Sequence, residues 1–229
     1  MSGTIFHVHH RFTFLSILAL FLVILLAFLF LGLVGKAFGA LGFGSFEVSV
    51  LLVATLLGST VNIPLWKMSS PQPMTQYGDV SVFGVTFRIP QTGHGVTTTQ
   101  VAINLGGAVI PSVVSLYLLW RTPSTLAVTL LGVALVASVT HIVAKPVRGV
   151  GIVTPAFVAP ITAALFAIIV PSAQPFIVAY SSGVLGALIG ADLSNLGKIK
   201  DLGAPIASIG GAGTFDGVFL SGIIAVLLA

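Results

Sequence analysis

Residues 179–196, AYSSGVLGALIGADLSNL, are apolar enough for lipid over most of their length, yet they carry three spaced glycines and close on an acid and an amide. An uncompensated charge in hydrocarbon costs at least about 2.5–3.5 kcal/mol, so Asp192 needs a partner or water. At about 100° per residue, Gly183, Gly186 and Gly190 fall within about 60° of one another, and Asp192 and Asn195 point nearly the opposite way. This predicts a bare face packed on one neighbouring helix and a polar face turned to another helix or a cavity. The plainer alternative is an acid at a helix end meeting interfacial water beside Lys198.

The rest of the chain has the same character. Charged residues make up 6% of the 229, against about 25% in soluble domains, and the mean hydropathy is +1.15. The expected fold class is an all-α polytopic membrane protein, a single integral domain over residues 1–229 with the lipid bilayer as its first partner. Apolar runs at 12–34, 43–63, 98–120, 124–142, 150–170, 174–197 and 205–228 predict seven spans, each near the about 20 residues needed to cross hydrocarbon. The first run follows HVHHRF. It is too long for a signal peptide and lacks a small-residue cleavage site, so it reads as an anchor.

With no cysteine in the chain, disulfides, thiolate metal sites and cysteine nucleophiles are excluded. The net charge of +4 reads as orientation charge, not as a nucleic-acid footprint, because the basic residues stand singly in loops. Arg11, Lys67, Arg88, Lys145, Arg148, Lys198 and Lys200 fall on one side of the seven-span topology, and only Lys36 and Arg121 on the other. That imbalance places the N-terminus in the cytoplasm and the C-terminus outside, in a cell inner (cytoplasmic) membrane. The sizeable loop, 64–97, is cytoplasmic on this count. Within it YGDVSVFGVTFRIP alternates at Val80, Val82, Val85, Phe87 and Ile89, predicting a small β-hairpin turning at Gly84.

With that topology the polar residues that lipid does not tolerate share one depth: Asn62, Asn104, His141, Asp192, Asn195 and Asp216. Each needs a partner or water, so a common depth suggests one hydrated cavity. Gly106, Gly107 and Pro111 predict a kink or break in the third span. In GGAGTFDGVFLSGIIAVLLA, residues 210–229, the helical tail from Phe215 covers about 22 Å, short of a crossing. Irregular backbone in GAPIASIGGAGT must supply the rest, which survives at membrane depth only when buried in protein or lining water. Asp216 then sits in the first turn of a half-helix, with Thr214 as its N-cap, where the dipole favours an acid. His141 reads first as an interfacial residue and His94 as a loop residue. His7, His9 and His10 have no carboxylate near them in sequence. No metal site, cofactor or catalytic residue is assigned.

INLGGAVIPSVVSLYLL, LIGADLSNL and SIGGAGTFDGVFLSGI resemble a prokaryotic membrane-protein family, the domain of unknown function numbered 1614, from about residue 45 onward. The resemblance implies a multi-pass fold and no activity, cofactor or site. Two intramembrane acids are also similar in outline to presenilin-like proteases, where paired carboxylates activate water. Here GTFDG, GADL and GAPIAS depart from the motifs of those proteases. The leading reading is a transporter or channel-like protein for a small solute or cation, with Asp192 and Asp216 as the charged pair and Asn62, Asn104, Asn195 and His141 beside them. The alternatives are an intramembrane di-aspartyl hydrolase and a non-catalytic scaffold or assembly factor. Surfaces rich in Leu, Val and Phe could meet lipid or a second copy in a homo-oligomer.

Overall fold

The computed structural model describes residues 6–82, 85–148, 151–199, 203–211 and 217–229, with the side chains of 6–14, 71–94 and 97 outside the description. Thr214, Asp216, the Gly84 turn and the side chains of His7, His9, His10 and His94 therefore lie outside the described residues.

The chain is mostly helical. In order come α1 (Phe6–Ala40), α2 (Ser45–Gly58), β1 (Asn62–Val82), β2 (Val85–Asn104), a π turn (Leu105–Val109), α3 (Ile110–Arg121), α4 (Leu126–Val143), β3 (Lys145–Val147), β4 (Gly151–Val153), α5 (Val158–Ile169), α6 (Pro175–Ala187), a second π turn (Leu188–Asp192), a 3-10 turn (Leu193–Asn195), α7 (Leu196–Ile199), β5 (Ile206–Ile209) and α8 (Gly217–Leu228). Each of the seven apolar runs contains one helical segment. Three, Leu15–Ala40, Pro123–Val143 and Pro175–Ile199, are long and apolar enough to cross a membrane. Ser45–Gly58, Leu105–Arg121, Val158–Ile169 and Gly217–Leu228 are shorter apolar helices. Proline and glycine limit them: Pro171 follows α5, and the Gly210–Gly211 pair precedes α8.

The core forms around α6. Pro175 occupies the first helical position, where its missing N–H costs nothing, and Ile177 through Val184 are buried without a break. Helices α3, α4, α5 and α8 pack around it. Small side chains permit the close approach, Ala159, Ala163 and Ala167 on α5 and Ala225 on α8 all being buried. Among the described residues helix α1 joins through its C-terminal end, where Phe38 meets the rings of Tyr180 and Phe219 at centroid distances of 6.0 and 6.4 Å. Upstream, Leu18, Leu22, Leu26 and Leu29 stay exposed, as expected of a helix whose cover is lipid.

The three glycines of residues 179–196 do not share one neighbour. A Cβ on Gly186 would lie 2.5 Å from Val136 Cβ, and one on Gly190 would strike the Ala137 carbonyl, both on α4. One on Gly183 instead meets Ser221 of α8. We expect Gly186→Ala to lower stability by about 1–3 kcal/mol, against the about 1 kcal/mol that alanine gains over glycine in a helix. A thermal melt of the purified protein in detergent checks this, and an unchanged or higher melting temperature would contradict the α4–α6 packing.

The β-structure departs most from expectation. The hairpin is not confined to 64–97: β1 and β2 pair antiparallel from Asn62 opposite Asn104 out to Val82 opposite Val85. At about 3.3 Å per residue this makes a ribbon about 65 Å long. The run at 98–120 thus begins as strand through Asn104 and turns helical only at Leu105. Its β-branched Thr98, Thr99, Val101 and Ile103 suit a pleated surface. The apolar content that suggested a helix is accounted for by Val101 and Ala102, which are buried in the core. Strand β5 pairs parallel with Gln100–Ile103. Its preceding carbonyls are also satisfied, Ala204 O by Thr99 Oγ1 at 2.8 Å and Pro205 O by Gln100 N at 2.9 Å. The GAPIASIGG segment therefore leaves the helical pattern, as expected, but as a short strand that buries Ala207 and Ile209 and exposes Ile206.

Candidate functional site

Of the six polar residues, the five that are described separate into three groups. The first lies where the ribbon enters the bundle. Asn104 is fully buried and caps the π turn: its Oδ1 accepts from Gly107 N at 2.7 Å, and its Nδ2 donates to Ser59 O at 2.8 Å and Asn62 Oδ1 at 3.1 Å. Asn62 Oδ1 also accepts from Ser208 Oγ at 2.6 Å. The amides thus tie the end of α2, both ribbon strands and β5 into one joint.

The second group is at the end of α6. The π turn adds one residue to the helical count, which turns everything after it by about 100° relative to an unbroken helix. Asn195 does not point away from the glycine face; it lies on the α4 side, with Nδ2 3.4 Å from His141 Nδ1. The same Nδ2 donates to Gly190 O at 3.1 Å and Ala191 O at 2.9 Å, and Oδ1 accepts from Lys198 Nζ at 2.8 Å. Asn195 is 1% exposed, and these partners use its amide, so its role here is to close the frayed helix end.

Asp192 is the third group. It ends the second π turn, half-buried, and its Oδ2 accepts from Gly210 N at 2.6 Å. Gly210 and Gly211 have φ of 79° and 83°, a region that glycine enters without the Cβ clash. That conformation lets the chain bend tightly between the two π turns: the Gly210 carbonyl lies against Gly107, and a Cβ on Gly210 would strike Ala108. The acid thus holds a glycine backbone wedged between two interrupted helices.

Beside it is a cavity of about 530 Å³, walled by the β4–α5 segment, α6, β5 and α8. Of the sequence-predicted site residues described, Asp192 alone lines it; Asn62, Asn104, Asn195 and His141 do not. The polar lining also includes Thr140, Thr154, Ser208 and Ser221. Thr140 is 1% exposed, and its Oγ1 has no hydrogen-bond partner. Sequence reasoning missed Thr140 and Ser208. The alternation of Ile206, Ala207, Ser208 and Ile209 was the available signal for the second. Among the described residues no three His, Asp or Glu side chains converge as a metal site.

These features define a class: an apolar helical bundle, three of whose helices suffice to cross a membrane, with a glycine-bent strand threaded against two π turns beside a cavity. Residues 56–228 match the model of the family described as protein of unknown function (DUF1614), and the chain belongs to that family. No curated protein and no solved structure matches it.

Proposed function

We propose that this is an integral protein of the cell inner membrane that binds a small solute or cation in the Asp192 cavity and passes it across the bilayer. The observation that carries the reading is an acid on the wall of a cavity of about 530 Å³ at the point where a long apolar helix is interrupted. Broken helices and non-helical backbone at membrane depth are the usual construction of ion and solute sites in transporters. Asp192 binds, and Asp216, five residues beyond Gly211, is the second acid; Asn62, Asn104 and Asn195 hold the frame, with His141 beside Asn195.

The arrangement of turns supports the orientation. A small pocket lined by Leu41, Gly42, Arg121, Thr122 and Gln174 gathers three turns at one end. His141 and Lys198 meet at the opposite end, where Lys145 and Arg148 also follow α4. The more basic end is cytoplasmic, which leaves the N-terminus inside and the C-terminus outside.

Reconstitution in liposomes tests the reading. We expect protein-bearing vesicles to pass protons, alkali cations or small organic cations faster than empty ones, and Asp192→Asn to cut that flux at least tenfold. Equal flux with and without protein overturns it. An assembly role is favoured by a separate observation, the β1–β2 ribbon, whose edges beyond Gln100 carry no third strand among the described residues. Unpaired edges invite strand addition, and in that case shortening the ribbon dissociates a complex while Asp192→Asn has no phenotype.

A further inference from the structure

We infer that the pocket where α1, α3 and α6 meet binds a phosphate group, and that the headgroup of a phospholipid carries it there. The inference stands apart from the Asp192 cavity and requires only that the chain lie in a bilayer. Helix α1 stops at Ala40, α3 stops at Arg121 and α6 starts at Pro175. The pocket lies between these ends, with Leu41, Leu118 and Ile177 on its walls and Arg121, Thr122 and Gln174 as its polar side chains. Its volume of about 220 Å³ falls short of the about 300–1,000 Å³ that encloses a whole small molecule, and suits one charged group of a larger one. Tyr117 and Trp120, 40% and 78% exposed, stand near the end of α3 with ring centroids 6.5 Å apart. Exposed Tyr and Trp at the end of an apolar helix mark the headgroup layer of a membrane, and phosphates are the anions of that layer.

Arg121 is the group that recognises the anion. Its guanidinium lies 5.7 Å from the Tyr117 ring centroid, a cation–π contact that steadies the side chain. Among the described residues it has no hydrogen bond and no carboxylate partner. Glu47, the acid at this end, is engaged by the Gly44 amide at 2.8 Å. The Gln174 side chain also bonds to no described residue and adds a neutral donor to the same pocket. Thr122 Oγ1, by contrast, already donates to Leu118 O at 2.7 Å. A guanidinium pairs with two phosphate oxygens at once. A phosphate on a lipid, its chains already in the bilayer, loses less freedom on binding than a free ion does. Because α1 joins the bundle through this end, a headgroup held here also ties that helix to α3 and α6.

Native mass spectrometry of the full chain, purified in an uncharged detergent and stripped of lipid, tests the inference with phosphatidylglycerol, diacylglycerol of the same chains, and glycerol phosphate. We expect saturable binding of phosphatidylglycerol, with diacylglycerol and glycerol phosphate each at least about tenfold weaker, the first for want of the charged bonds and the second for want of the anchor. Arg121→Gln should weaken the phosphatidylglycerol about tenfold or more and Gln174→Ala about threefold. Both side chains are exposed, so neither change should move the melting temperature of the lipid-free chain by more than about 2 °C. Lys145→Gln, which removes the same charge from an exposed position at the opposite end, should leave binding unchanged. Phosphatidylglycerol binding that either pocket variant leaves intact, or that Lys145→Gln weakens as much as Arg121→Gln does, overturns the inference. Diacylglycerol binding as tightly overturns recognition of the phosphate, and glycerol phosphate binding as tightly overturns the lipid as its source. None of these results bears on liposome flux, so the transport reading stands or falls separately.

Discussion

Gly107→Ala is expected to prevent assembly of the fold, with loss of folded yield or destabilisation beyond about 3 kcal/mol, at or above the upper end of ordinary overpacking. The added methyl would fall on the Gly210 carbonyl oxygen, with Asn104 Oδ1 only 3.2 Å away. A flexible side chain could turn aside from such a clash; a carbonyl in a strand-to-loop bend cannot, because Gly210 is itself pressed against Ala108 and bonded to Asp192. Gly106→Ala meets the same obstacle on its other side, where the methyl would strike the Thr55 carbonyl and the Ser59 amide at the end of α2. The control is Gly35→Ala, in the helix α1 with no atom within 4 Å of the new Cβ. That change should be neutral or stabilise by up to about 1 kcal/mol through helix propensity. Detergent melts of the three variants decide the matter. A Gly107→Ala protein that melts with the unmodified chain would mean that β5 and the first π turn are not packed as described.

What could be read ahead of the structure follows from the length over which a physical signal is averaged. Helices α4 and α6 belong to apolar runs long enough to leave little choice of element, and both stand where expected. The run at 98–120 was ambiguous, since burial makes Val101 and Ala102 as apolar as any span residue, and only the β-branched threonines before them hint at strand. The rotation count on residues 179–196 places Gly186 and Gly190 on one neighbour, α4, but not Gly183, which meets α8, and it fails for Asn195 beyond the π turn, because an inserted residue leaves no mark in composition. Asn195 was therefore assigned to the wrong side of its helix. Asp192 stood out as an acid in a lipid-like run, but its partner Gly210 lies 18 positions away on a segment whose path depends on pairing with β2. The unpartnered Thr140 hydroxyl was invisible for the opposite reason: a threonine in an apolar helix is ordinary, and only the cavity makes it notable.

Asn104→Asp is expected to destabilise the protein more than Asn104→Ala at pH 8 and to recover part of the difference at pH 5. Asn104 is fully buried and works in both directions, accepting from the Gly107 amide and donating to Ser59 O and Asn62 Oδ1. Truncation to alanine strands the Gly107 amide and the Ser59 carbonyl, and at about 1–3 kcal/mol per orphaned buried group the loss is of order 4 kcal/mol. The carboxylate variant retains the bond to Gly107 but sets a negative oxygen 2.8 Å from the Ser59 carbonyl, a repulsion between two acceptors with no proton between them. Protonating the introduced carboxyl restores a donor there, so the folded state holds that proton more firmly than the unfolded chain does. By linkage, stability must then fall as pH rises through this range. Melts at pH 5 and pH 8, each referred to the unmodified chain at the same pH, isolate the effect from the other titrating groups. If the aspartate variant is as stable as wild type at pH 8, Asn104 does not donate to Ser59, and the joint between α2, the ribbon and β5 is held by some other contact.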